Sequence, residues 1–314
     1  MSSNASPPDA DEGARPACPA PADFRAEIAA YDAQAEVGQW QGPRHRMTYR
    51  VLGAGPPLIL LPGIASTYRG YALTLNRLAA RFRTIVLDYP GDNPDDTAQL
   101  ASITHENLVD DVFDLIEHLR IGRVFLVGTS FGSTVTLGAL LREPRRFPKA
   151  VLQGAFAHRQ FSFAEKLALA VGRRVPGTID RLPLRRTILE HNSKNQFPRV
   201  IADRWPIYLE QNGLTPIAGI AHRTSLLTRL DLRPKLAQIP VEILLLHGNE
   251  DRIVRQSEFD LLRTQLPGAT GVLMPLIGHQ PHFTHAEVFA QAIEGYLLPC
   301  APEGCPSERN EPAR

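Results

Sequence analysis

From residue 43 to residue 298 the hydrophobic positions follow two alternating rhythms. Short apolar runs at residues 58–61, 84–87, 124–127, 150–152, 241–246 and 271–276 have the length of strands. Unbroken runs such as 58–61 read as parallel strands buried on both faces. Residues 45–52 suit a first strand, closed by the turn Gly53-Ala54-Gly55-Pro56. Between the runs lie windows of helical spacing at 71–81, 103–119, 131–142, 257–265 and 286–297. In 103–119 the apolar positions are Leu108, Val112, Leu115, Ile116 and Leu119, one face of a helix, with Gly122 as its stop. This alternation predicts an α/β fold, a mostly parallel sheet flanked by helices on both faces.

The rhythm breaks once. Residues 155–235 are helix-like, interrupted by prolines and without a strand signal. The pattern predicts a core (41–154 and 236–298) with a helical lid (155–235) inserted after one strand. Residues 1–40 read as an N-terminal tail with one possible helix, and 299–314 as a disordered C-terminal tail. No internal repeat is evident.

Charge sharpens this division. The insert holds fourteen Lys/Arg against six Asp/Glu, whereas the whole chain has a formal net charge of only +1. A basic lid predicts attraction for an anionic substrate or an acidic membrane surface; a solvated arginine-rich face is the plainer alternative. The near-neutral whole gives no argument for nucleic acid. With 314 residues, 43% hydrophobic and 21% charged, the composition is that of a globular protein. No run of eighteen apolar residues predicts a transmembrane segment. The first residues lack a basic stretch followed by an apolar one, so a cytoplasmic location is expected. The three cysteines, Cys18, Cys300 and Cys305, all fall in the tails and are expected to be free thiols. No metal-ligand cluster and no dinucleotide-type glycine loop appears, so neither metal nor cofactor is expected.

The chemistry concentrates where strands end. Gly128-Thr129-Ser130-Phe131-Gly132 lies between the run 124–127 and a helical window. That strand–turn–helix frame is what a nucleophile elbow needs, and its tight turn requires small residues on either side of the serine. A serine nucleophile also needs a base, an orienting carboxylate and donors for the developing oxyanion. After the run 241–246, the segment His247-Gly248-Asn249-Glu250-Asp251 offers Asp251 as the acid, with Glu250 as the alternative. After the last strand, Gly278-His279-Gln280-Pro281-His282 offers His279 as the base, with His282 and His285 competing. His247 reads as a strand end. One oxyanion donor is the backbone N–H of Phe131. The other comes from Leu61-Pro62-Gly63-Ile64; Pro62 has no N–H and Gly63 serves the turn, which leaves Ile64.

Across residues 41–298 these motifs, in this order, resemble the α/β-hydrolase-fold superfamily, in its serine hydrolase branch. The resemblance implies a Ser130–His279–Asp251 triad acting through an acyl-enzyme on a small-molecule acyl substrate. Serine at the elbow separates the chain from members of the fold that use aspartate there. The same triad serves esterases, thioesterases, C–C hydrolases, amidases and acyltransferases, of which an ester or thioester hydrolase is expected. Two departures stand out: Pro62 replaces the histidine common before the oxyanion donor, and Asp88 is followed by Tyr89-Pro90-Gly91-Asp92 instead of an Arg-Gly pair. Asp88 is thus a structural candidate. The Tyr89-Pro90 step and the lid layout also resemble, more diffusely, maspardin, an interaction protein of this fold, which keeps a non-catalytic binding module as the alternative. Phe161, Phe163, Leu167, Leu169, Trp205 and Tyr208 are expected either to line an acyl pocket or to form the core of the lid.

Overall fold

The computed structural model describes residues 22–93, 100–193, 197 and 201–298. Most of the expected tails, with all three cysteines, lies outside the described residues. The strands are β1 (Glu36–Gln41), β2 (Arg46–Leu52), β3 (Pro57–Leu61), β4 (Arg83–Leu87), β5 (Phe125–Thr129), β6 (Lys149–Gln153), β7 (Glu242–Gly248) and β8 (Ala269–Met274). They form one sheet in the order β1-β2-β4-β3-β5-β6-β7-β8. The first two join antiparallel, and β4 through β8 are parallel. Helices α1 (Phe24–Gln34), α2 (Ala72–Ala79), α3 (His105–His118), α4 (Phe131–Arg142), α9 (Gln256–Gln265), α10 (Pro281–Thr284) and α11 (Ala286–Leu297) flank it. Between β6 and β7 run α5 (Phe163–Gly172), α6 (Arg185–Ser193), α7 (Arg204–Gly213) and α8 (Ile217–Leu227).

The central strands follow from their residues. Leu58, Ile59, Leu60 and Leu61 of β3 are buried on both faces between two layers of helices. One apolar cluster lies on the α3, α4 and α9 side, and another on the α2 and α11 side. Register aligns the strand ends: Leu61 pairs with Gly128, Thr129 with Gln153, and Gln153 with Leu246. The loops that leave β3, β5, β6 and β7 therefore open along one carboxyl edge, where ligands bind in sheets of this kind.

Three expectations change. The sheet begins before residue 41, because β1 supplies its edge strand. Its sequence, Glu-Val-Gly-Gln-Trp-Gln, carries no apolar alternation, and both its faces are largely solvated. What holds β1 is specific contact: Gly38 lies under the Tyr49 ring, where a Cβ would stand 2.2 Å from a ring carbon, and Trp40 stacks on His118 at 4.9 Å. Second, the end of α3 turns at Arg120, which takes φ 54° itself, while Ile121 N–H reaches back to Ile116 O at 2.9 Å. Gly122 is not needed for that turn. Third, α1 is no tail helix. Its Phe24 stacks on Phe283 at 4.8 Å and joins Trp205, Tyr208 and Phe197 in a third apolar cluster, which ties α1, α7 and α10 together. Asp88 is structural: both its oxygens lie 2.8 Å from Arg50 Nη1, which joins β4 to β2.

Candidate active site

Ser130 sits between β5 and α4 at φ 49° and ψ −116°, a conformation that costs an L-residue energy and persists only where its surroundings impose it. They do so through close approach. A Cβ on Gly132 would stand 2.1 Å from Leu61 O, and one on Gly128 would stand 2.3 Å from Thr136 Oγ1. Ser130 N–H donates to Gln153 O at 2.8 Å, which pins the elbow to the neighbouring strand.

Asp251 and His279 come together although 27 residues of chain separate them. His279 Nδ1 donates to Asp251 Oδ2 at 2.7 Å, and the Asp251 side chain is fully buried. The other carboxylate oxygen accepts from Ile253 N–H at 2.8 Å and Val254 N–H at 2.9 Å. Burial alone would raise the Asp251 pKa. The His279 ring and these hydrogen bonds outweigh it and hold the carboxyl below its usual 3.8. Glu250, the alternative acid, is exposed, and its backbone N–H donates to Ile277 O. Neither competing histidine occupies this position. His282 is fully buried, stacks on Tyr71 at 4.1 Å, and is pushed down to about 3 by burial and by His279. His285 faces Thr284 Oγ1 at 2.9 Å. His247 ends β7 with its ring against Phe259 at 5.6 Å.

The loop after β3 is held from two sides. Gly63 N–H donates to Tyr71 OH at 3.1 Å, and Tyr71 OH lies 2.5 Å from Thr129 Oγ1, next to the nucleophile position. Gly63 N–H is thereby engaged, which leaves Ile64 N–H as the donor expected of this loop. From the other side, the buried Arg223 of α8 donates through Nε to Ile64 O at 3.1 Å and through Nη1 to Pro90 O at 3.2 Å. Arg223 Nη2 pairs with Asp92 at 2.7 Å, and Tyr89 OH donates to Pro62 O at 3.1 Å.

Sequence reasoning missed Tyr71, Arg223 with Asp92, and two residues at the end of β6. Gln153 Nε2 donates to His279 O at 3.3 Å. Gly154, at φ 54°, leaves room for the acid–base pair: a Cβ there would stand 3.0 Å from His279 Cε1 and 3.5 Å from Asp251 Oδ2. A glycine directly after a buried strand is the one signal of this group that a sequence displays.

Ile64, Ser130 and Phe131 line a cavity of about 560 Å³ together with Phe156, Leu227, Glu258 and four arginines, Arg159, Arg233, Arg252 and Arg255. A larger cavity, about 640 Å³, lies between α3, α5 and α8 and contains none of the candidate catalytic residues; the candidate nucleophile, not size, selects the smaller one. None of the six lid residues expected to line an acyl pocket lines the Ser130 cavity. Trp205 and Tyr208 belong to the third core cluster, while Phe163 and Leu167 are exposed. Among the described residues, no group of three or more His, Cys, Asp or Glu converges to hold a metal, and no helix is long and apolar enough to cross a membrane.

Comparison with known proteins bears on the fold and the family. A family profile described as alpha/beta hydrolase fold matches residues 56–286. A pimeloyl-[acyl-carrier protein] methyl ester esterase of Nitrosomonas europaea is 28% identical over 256 residues, covering 77% of this chain and 96% of that protein. A 2-hydroxy-6-oxononadienedioate/2-hydroxy-6-oxononatrienedioate hydrolase of Pseudomonas putida is 24% identical over 267 residues, 80% of this chain and 91% of that one. Among solved structures, a hydrolase from Pseudomonas aeruginosa superposes with a TM-score of 0.71 at 22% identity, covering 83% of this chain and 98% of that chain.

Proposed function

Because this chain belongs to the alpha/beta hydrolase fold family and is an enzyme of the hydrolase class, we propose that it is a serine hydrolase of small carboxylic esters or thioesters. Ser130 Oγ attacks the carbonyl carbon while His279 Nε2 takes the hydroxyl proton. With Nδ1 committed to Asp251, Nε2 is the nitrogen left for that task. The N–H groups of Ile64 and Phe131 stabilise the oxyanion. His279 passes the proton to the leaving alcohol or thiol, and an acyl-Ser130 ester remains. Water, deprotonated by His279, then attacks that ester, releases the acid and restores Ser130. Asp251, kept ionised, stabilises the imidazolium in both halves.

The observation that carries this reading is the buried 2.7 Å His279–Asp251 hydrogen bond, on the same sheet edge as a serine in a strained turn. Intact-mass analysis after treatment with a fluorophosphonate tests it. One adduct is expected, absent in Ser130→Ala. A folded protein that gains no adduct removes Ser130 as an activated nucleophile and favours a binding role for this site.

We also assign the substrate a negative charge away from the scissile carbonyl. Arg252 and Arg255 lie one and four residues beyond Asp251 and line the Ser130 cavity, where Arg159 and Arg233 also stand. Arg233 is occupied by Asp231 and Arg159 by Glu165, so Arg252 and Arg255 carry this reading. One relative's name is consistent with it, since a nonadienedioate is a dicarboxylate. A methyl hemiester of a dicarboxylic acid should exceed a neutral methyl ester of equal chain length by about tenfold in kcat/KM, the effect of one charge-assisted contact. Equal efficiency at low salt removes this assignment and leaves the triad reading intact.

A further inference from the structure

Helix α5 contributes no buried residue to the fold. Phe163, Leu167 and Val171 are 82%, 57% and 58% exposed. Four residues apart, they form one ridge along the helix. The opposite side is engaged: a Cβ on Gly172 would stand 3.0 Å from Ala221 Cβ of α8. The ridge is thus the face left over once α5 has docked. Lys166 lies on the same helix, and Arg173 and Arg174 follow its end. The one acidic residue of α5, Glu165, is consumed locally by Ser162, which it caps, and by Arg159 at 3.3 Å. Lys166 and Arg173 stand on the flank that lines the cavity against α3 and α8, so the helix shows solvent an apolar crest with cations along one flank and at its C-terminal end.

We propose that α5 docks the protein on an anionic membrane surface, with Phe163, Leu167 and Val171 among the acyl chains and Lys166, Arg173 and Arg174 at the headgroups. An apolar face flanked by Lys/Arg is the pattern of helices that lie in the lipid interface. The charges decide between occupants. A second copy docked through a two-fold axis would gather the three cations of each ridge, six in all, into one interface with few anions to offset them, which is repulsive. A protein groove would have to be both concave and acidic to match; a bilayer of acidic lipids supplies the charge and meets a convex apolar crest without a matching groove. Arg159 and Gln160, three and two residues before the cap of α5, line the Ser130 cavity, so docking brings the candidate active site close to the lipid. This inference is independent of which acyl bond is cleaved.

Co-sedimentation of the full chain with vesicles tests it, using an equimolar mixture of phosphatidylglycerol and phosphatidylcholine against phosphatidylcholine alone. Binding to the anionic vesicles is expected to exceed that to neutral ones by at least about tenfold and to weaken with salt. Phe163→Asp/Leu167→Asp should lose about tenfold or more in binding to the anionic vesicles. Lys166→Gln/Arg173→Gln/Arg174→Gln should fall to the neutral-vesicle level, at about fivefold per charge. Because these side chains are exposed, both variants should keep wild-type circular dichroism and fluorophosphonate labelling without vesicles. Anionic binding that survives the double aspartate variant overturns the proposal. So does an absence of binding, which leaves an acidic protein as the occupant. A dimer in vesicle-free sedimentation velocity that the same variant abolishes overturns it too, and assigns the ridge to a second copy.

Discussion

Helices α5 and α8 lie in one insert and touch each other, yet they are held in opposite ways. Helix α8 is bolted to the core. Its Gly219 leaves no room for a side chain, since a Cβ would stand 2.3 Å from Gly91 O. Arg223 reaches Ile64 O, Pro90 O and Asp92, and His222 Nε2 donates to Ile103 O at 3.0 Å. Just before the helix, Thr215 Oγ1 donates to Ala65 O at 3.3 Å. Helix α5 makes no comparable polar contact with the core among the hydrogen bonds described, and turns its largest apolar side chains outward. The difference teaches that an inserted segment need not move as one lid. Here one helix is a strut that holds carbonyls of the loop after β3, and another is a free face.

The comparison breaks most sharply at Arg223. Arg223→Gln leaves Asp92 buried without its partner and should lower stability by about 3–5 kcal/mol in urea unfolding. At a temperature where the variant is folded, kcat should fall by more than KM rises, because Ile64, the proposed oxyanion donor, loses its support while the rest of the Ser130 cavity keeps its lining. A loss confined to KM would separate Arg223 from the proposed oxyanion loop.

Acidity probes the same strut with a somewhat smaller effect. Burial outweighs the attraction of Arg223 and raises the Asp92 pKa from 3.8 to about 6. A folded value above the unfolded one means that the folded state binds the proton more tightly. The contribution of Asp92 to stability is then full below about pH 4 and is lost as pH rises through about 6. The stability of wild type relative to Asp92→Asn should thus increase on acidification from pH 7 to pH 4, by on the order of 2 kcal/mol. A flat difference across that range would show that Asp92 does not titrate as its burial dictates.

Gly219→Ala tests the fit of α8 against the Pro90-Gly91 turn. Backbone on both sides resists the new methyl group, and a loss of about 1–3 kcal/mol is expected in thermal or urea unfolding. The smallest effect belongs to α5. Leu167→Ser removes apolar surface that is already in water, so stability should stay within about 0.5 kcal/mol of wild type. A large loss there would mean that the ridge is buried in solution, and the contrast between the two helices would disappear.

Much of this architecture was legible because it is local. The runs that became β3, β5 and β7 needed only their own apolar residues. The window at 131–142 emerged as α4 because a run of small and apolar residues of helical length follows the strand and the elbow's glycines mark its start. β1 was illegible for the converse reason: it has no hydrophobic period, and its place at the sheet edge comes from Tyr49 and His118, brought there by other elements. The motif order nominated Ser130, Asp251 and His279, since each follows a strand. The sequence offered no comparable sign of Tyr71 or Arg223, whose roles arise from the backbone groups they meet.

What the sequence determined alone was the alternation of strand and helix, the place of the insertion, and a short roll of candidates at the strand ends. These depend on period and turn chemistry, which act over a few residues. Only the tertiary structure decided which carboxylate meets His279, which histidine is instead sealed behind Tyr71, and which helix of the insert braces the loop after β3. Those outcomes depend on burial and on contacts between residues far apart in the chain. Hydrogen bonds and charges gain their strength there from a low-dielectric interior that only the assembled fold creates.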